Sequence, residues 1–143
     1  MWNDVIYQPG ELRAVAYKEG EKIGESVIKT AGKPVQLKLT PDRTVIKADG
    51  KDLSYILIEA VDQDGNLCPL ANNKVEIKLD GSIALAGIDN GNPQSLNSFK
   101  SNSVELFYGK AMVILKSEST KGSAKITVIS GGLKEAKVNI KTE

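Results

Sequence analysis

Carboxylates, one thiol and a few aromatic rings are what this 143-residue sequence offers for chemistry. It has no histidine, and Cys68 is the single cysteine. Ser-His-Asp and Cys-His nucleophilic sites cannot be assembled from such a set. A zinc site of the usual His and Cys donors cannot be either. Neither the GxxxxGK[ST] phosphate loop nor the GxGxxG turn occurs. No disulfide can close within the chain.

The carboxylates offer two chemistries, paired-acid hydrolysis and metal binding. Asp42, Asp49, Asp62, Asp64 and Asp89 fall among turn formers, and Glu76 and Glu135 fall on polar strand positions. Turns and solvated faces account for them, so no catalytic pair is expected. Asp62-Gln63-Asp64-Gly65-Asn66 resembles the start of a calcium loop. Counted from Asp62, however, the twelfth position is Asn73 where a bidentate Glu is needed, and the sixth is Leu67 where glycine is needed. Asp89-Asn90-Gly91-Asn92 is a second such run, with calcium or a sugar hydroxyl as the alternative to a turn. Asx side chains cap turns for local reasons, and the turn reading is preferred at both places. No metal or other cofactor is expected; Asp62, Asp64 and Asp89 are the candidates if a metal does bind. Among seven aromatic residues, Phe99, Phe107 and Tyr108 could form a small exposed cluster near one end, for contact with a neighbouring domain or a glycan.

The elements that would carry these residues are strands. Short alternating apolar runs recur, punctuated by Gly, Asn, Asp and Pro, and no stretch has a long helical period. Val75, Ile77 and Leu79 alternate with charged neighbours, as do Ala136, Val138 and Ile140. Leu53–Val61 is apolar on both faces, which suits a central strand. About seven to nine strands in roughly 110 residues is the size and spacing of an immunoglobulin-like β-sandwich. With no cysteine pair and no central Trp, its core must be aliphatic.

The expected organisation has two parts. Residues 33–143 form the sandwich, and 1–32 read as the last strands of a preceding, truncated β-sandwich domain. The runs 2–7, 12–17 and 23–30 are too few for a core of their own. They lean on the rest of the chain or lack partners that lie upstream. Thr30-Ala31-Gly32-Lys33-Pro34 is the expected linker, and self-association through the open N-terminal strands is an accompanying expectation.

Charge narrows the partners. Nineteen Lys and Arg oppose 18 Asp and Glu, and the lysines are dispersed along the strands. Neither a nucleic acid nor a membrane is an expected partner.

The N-terminal run Trp2-Asn3-Asp4-Val5-Ile6-Tyr7-Gln8-Pro9-Gly10-Glu11-Leu12, with Ala14-Val15-Ala16-Tyr17, resembles the last strands of an immunoglobulin-like domain behind the barrel of family 2 glycoside hydrolases of the β-galactosidase type. In order after it, Asp42-Arg43, Ala48-Asp49-Gly50-Lys51-Asp52-Leu53, Asp64-Gly65-Asn66-Leu67-Cys68-Pro69, Asp89-Asn90-Gly91, Ser98-Phe99-Lys100 and Phe107-Tyr108-Gly109-Lys110 resemble the C-terminal domain of such enzymes. The resemblance implies a non-catalytic accessory domain whose partners are the other domains of a parent enzyme. It carries over no catalytic residue, because in such enzymes those lie on the barrel. It also implies a periplasmic or extracellular parent. A carbohydrate-binding module or an adhesin-type module is the alternative.

Overall fold

The computed structural model describes residues 5–143, and every regular element in it is a strand. Strands β1 (Glu11–Lys18) and β2 (Glu21–Lys29) form an antiparallel hairpin. It turns through Glu19 and Gly20, both with positive φ (52° and 85°), the type I′ geometry that matches strand twist. Ile23 is an extra residue between the Tyr17–Lys22 and Ala16–Gly24 pairs, so the ladder bulges there. The expected run at 2–7 begins outside the described residues; Val5, Ile6 and Tyr7 are exposed and not in a strand.

The register sorts the hairpin into two unlike faces. On one, Lys29, Glu11, Arg13, Glu25 and Lys22 follow one another as a line of ion pairs of alternating sign. Val15, Tyr17 and Val27 share that face, whereas on the other Leu12 faces Ile28, Ala14 faces Ser26, Ala16 faces Gly24 and, beside the turn, Lys18 faces Glu21. Apart from Val15, which is partly covered, every residue of both strands is exposed.

The remaining strands are β3 (Gln36–Pro41), β4 (Val45–Ile46), β5 (Leu53–Val61), β6 (Lys74–Asp80), β7 (Ile83–Asp89), β8 (Ser103–Glu105), β9 (Lys110–Ser117), β10 (Gly122–Ser130) and β11 (Leu133–Thr142). One sheet runs β7-β9-β5-β3 and the other β11-β10-β6-β8; a parallel contact of Gln36 with Lys134 joins them. In immunoglobulin lettering β3, β5, β9 and β7 are A, B, E and D, and β6, β10 and β11 are C, F and G. β8 is an extra edge strand beside β6. The chain is thus an all-β sandwich, as its rhythm predicts.

The core follows from period-two alternation. Ile56, Ile58, Val113 and Leu115 point inward from one sheet, and Val75, Ile126, Val128 and Ile140 from the other, all fully buried. The core is aliphatic as expected. The segment from Thr44 to Ala48 yields only the two-residue β4. The surrounding segment is ordered instead by aspartate side chains that accept its backbone N–H groups.

Candidate functional site

Asp62, at the end of β5, organises the place where the chain enters the sandwich. Its residue is almost fully buried. Oδ2 accepts the Gly32 amide at 2.8 Å and the Asn66 side-chain amide at 3.1 Å. Oδ1 accepts the backbone amides of Asp64 at 3.0 Å and Asn66 at 2.8 Å. Four N–H donors stabilise the ionised form, with the Gly32 amide first among them, and the carboxyl is lowered from 3.8 to about 2. The arrangement is an Asx turn with an added arm that reaches thirty residues back along the chain.

The linker is fastened on both sides of one residue. Thr30 belongs to the hairpin: its amide donates to the Gly10 carbonyl and its hydroxyl accepts from the Gly10 amide. Gly32 belongs to the sandwich through Asp62, and its carbonyl lies 3.5 Å from the Cys68 thiol. Only Ala31 stands between, and it packs against the core. The Cys68 thiol is pushed up by burial and secondarily by the Asp62 charge.

The Tyr108–Gly109 turn closes the same end. Both residues have positive φ (49° and 74°), giving a second type I′ hairpin between Phe107 and Lys110. Gly109 donates to the Ala71 carbonyl and accepts from the Ala60 amide. A Cβ at Gly109 would stand 2.3 Å from the Cys68 carbonyl oxygen, so no side chain fits. The Phe107 and Tyr108 rings meet edge-to-face at 4.5 Å. Phe107 is half-buried, whereas Tyr108 is 66% exposed. Phe99 is 65% exposed on a separate loop, its carbonyl accepting the Ile88 amide, and no ring pair joins it to the other two. Between this end of the sandwich and the hairpin runs a groove of about 960 Å³. Val5, Tyr7, Leu12 and Ile28 line one side and Leu67–Asn73 the other.

The other acids hold loops. Asp89 accepts the Asn90 amide, and Asn90 and Asn92 accept amides two residues on, so the run from Asp89 is a succession of Asx turns. At the far end of the sandwich Asp49 accepts the amides of Lys51 and Asp52, which lowers its carboxyl. Asp52 accepts the Lys47 amide and pairs with Arg43 at 2.9 Å, and Asp42 accepts the Tyr55 amide. The sequence alone does not show Asp52, Ser54 and Ser117 as partners here. Ser54, Ser117 and Thr142 each continue the buried phase of an apolar strand, which marks a polar contact inside. Glu76 and Glu135 stand on exposed strand faces, as expected. Among the described residues no three acidic or thiol groups are placed to hold one metal ion.

Comparison with known proteins gives two separate family matches. The model for glycoside hydrolase family 2 C-terminal domain 5 matches residues 37–139, and a second model, described only as a domain of unknown function, matches 1–24. A β-galactosidase of Bacteroides ovatus is 42% identical over 139 residues, 97% of this chain but 16% of that protein. The structure of a Bacteroides vulgatus β-glycosidase superposes with a TM-score of 0.92 at 31% identity, covering 96% of this chain and 18% of its own. A family 2 glycosyl hydrolase of Bacteroides cellulosilyticus gives 0.90 at 35% identity, covering 97% and 18%. The chain therefore spans less than a fifth of the length of these relatives.

Proposed function

This chain belongs to the glycoside hydrolase family 2 C-terminal domain 5 family, and from that premise we propose that it is a non-catalytic accessory sandwich of a β-galactosidase-type glycosidase. In this reading residues 33–143 are the accessory domain, which packs against the enzyme body. Residues 1–32 are the end of the domain before it. The observation that carries the reading is the use to which the acids are put. Asp42, Asp49, Asp52, Asp62 and Asp89 spend oxygens on backbone amides, and Asp64, Glu76 and Glu135 are exposed. Hydrolysis needs two carboxyl groups facing a substrate across a gap of about 5–9.5 Å. Carboxylates committed to amides are not free for that work.

The isolated chain is accordingly expected to leave nitrophenyl β-galactoside and nitrophenyl β-glucuronide intact. Turnover that disappears on replacing one of its acids would overturn the reading. A second reading, glycan binding, draws on the exposed Tyr108 ring braced by Phe107. Affinity electrophoresis in polysaccharide gels separates the two. The accessory reading expects unretarded migration, and retardation abolished by Tyr108→Ala would favour the binding module.

A further inference from the structure

A strand in a two-layer sandwich needs one apolar face, and β5 has two. Ile56, Ile58 and Ala60 fill the core. Leu53, Tyr55 and Leu57 alternate with them and so point out of the sheet. The register extends this outer face onto the neighbouring strands. Leu57 stands between Thr40 and Met112, Tyr55 beside Ile114, and Leu53 beside Lys116. Tyr55 and Met112 are 38% and 40% exposed, and Leu53, Leu57 and Ile114 are half-buried. Charges of both signs border the patch. Lys38, Glu59 and Lys110 form a line of ion pairs across one end. Lys116, Asp42 and Asp89 stand beside Leu53, Tyr55 and Met112.

The outer face of the other sheet is built for water. Asp80, Lys125 and Asn139 make one row, Lys78, Thr127 and Lys137 the next, and Glu76 stands beside Ile129. The sandwich therefore holds with a charged outer face, and the apolar one serves something outside it. Size and connectivity indicate what that is. With strands about 4.8 Å apart and same-face residues about 6.8 Å apart, the apolar patch covers on the order of 200 Å². A stable dimer needs about 800 Å² from each partner, so a second copy is not held by this patch. A surface on the same polypeptide needs far less area, because its effective concentration is about millimolar. The solved glycosidases that superpose on 96–97% of this chain hold more than four-fifths of their residues elsewhere in the same polypeptide. We propose that the outer face of the β3-β5-β9-β7 sheet, centred on Tyr55, Leu57, Met112 and Ile114, docks on an apolar surface of another domain of the same polypeptide, while the outer face of the β6-β10-β11 sheet stays in water. The inference rests on reading the chain as the accessory sandwich of a longer glycosidase, and it adds the face through which that sandwich is held.

Thiol labelling tests the choice of face. Cys68 is buried, so a single introduced cysteine reports on its own position. Met112→Cys on the apolar outer face and Lys78→Cys on the charged one are made in this chain and in the full-length glycosidase. Both replace exposed side chains, so the fold is left intact. Their rates of reaction with a maleimide are compared, with the unsubstituted proteins as background. Both sites are expected to react freely in the isolated chain. In the full-length enzyme Met112→Cys is expected to slow by on the order of 100-fold, as in a closed interface, and Lys78→Cys to keep its rate. Equal rates at Met112→Cys in the two proteins would overturn the proposal, as would equal protection of both sites or protection of Lys78→Cys alone. Protection of Met112→Cys that grows with protein concentration would overturn it in favour of a second copy. Slowing in the isolated chain on addition of soluble galactan would overturn it in favour of a glycan. Hydrolysis of nitrophenyl β-galactoside and nitrophenyl β-glucuronide by the same full-length samples reports on the glycosidase reading separately from the labelling ratio.

Discussion

Two type I′ hairpins in this chain have nearly the same backbone and opposite surroundings. Glu19–Gly20 turns in open water, and a Cβ on Gly20 would touch nothing. Tyr108–Gly109 turns against the Cys68–Ala71 loop, and a Cβ on Gly109 would strike the Cys68 carbonyl. The same contrast divides the strands they join. β1 and β2 alternate in register but enclose nothing, whereas β9 sits between β7 and β5 with Ala111, Val113 and Leu115 buried. Local geometry is therefore complete in both regions, and what separates them is enclosure. Stability in the isolated chain should come from the sandwich, with the hairpin riding on it.

The strongest way to break the contrast is from the core. Ile58→Ala removes a fully buried side chain from the central strand and is expected to cost about 2–5 kcal/mol in urea unfolding followed by circular dichroism. Leu12→Ala, equally apolar but open, should leave the midpoint unchanged in the isolated chain. A large loss there would mean that the hairpin has its own cover. Next come the two turn glycines. Gly109→Ala combines positive φ with a backbone collision and is expected to cost at least about 1–3 kcal/mol. Gly20→Ala meets the φ constraint alone, in a region that carries none of the cooperative unfolding, so its transition should overlay the unsubstituted one.

A smaller effect is expected at the pin between the regions. The Asp62 carboxyl is lowered from 3.8 to about 2, so its contribution is complete above the unfolded value near 4 and is lost as pH falls through about 2. The Gly32 and Asn66 amide resonances should move together with a midpoint near pH 2. Asp62→Asn should abolish that titration and lower the unfolding temperature modestly at pH 7. A midpoint near 4 would mean that the four-donor cradle does not form. The least effect belongs to the charged face of the hairpin. There Arg13 holds the Glu11 carboxyl below its ordinary value, yet both groups are wet. Arg13→Ala is expected to leave thermal unfolding where it was and to remove the modest salt dependence of hairpin exchange rates.

The sandwich was legible because one face of each strand is buried and alternation records it. Ile56, Ile58 and Ala60, or Ala124, Ile126 and Val128, identify their inner face without a structure. The acids resisted reading because their function lies in distant partners. Nothing in Asp62-Gln63-Asp64-Gly65-Asn66 tells that one oxygen is taken by an amide at residue 32. A composition of Asp, Gly and Asn serves a metal and a backbone cradle alike. The rings were only half legible for a similar reason. Phe107 and Tyr108 are neighbours in sequence and meet, whereas Phe99 is carried off by a loop whose path depends on β7. Ser54, Ser117 and Thr142 left a readable trace, a hydroxyl in the apolar phase at the end of a strand, although their partners did not.

The linker has a mechanical consequence. With Thr30 clasped to Gly10 and Gly32 pinned by Asp62, two torsions at Ala31 are nearly all the freedom left between the two parts. A long tether absorbs displacement by slackening; a joint of one residue has no slack to give. Any rocking of the hairpin is delivered as torque to the carboxylate that holds Gly32, so the two parts must swing about that point or stay still.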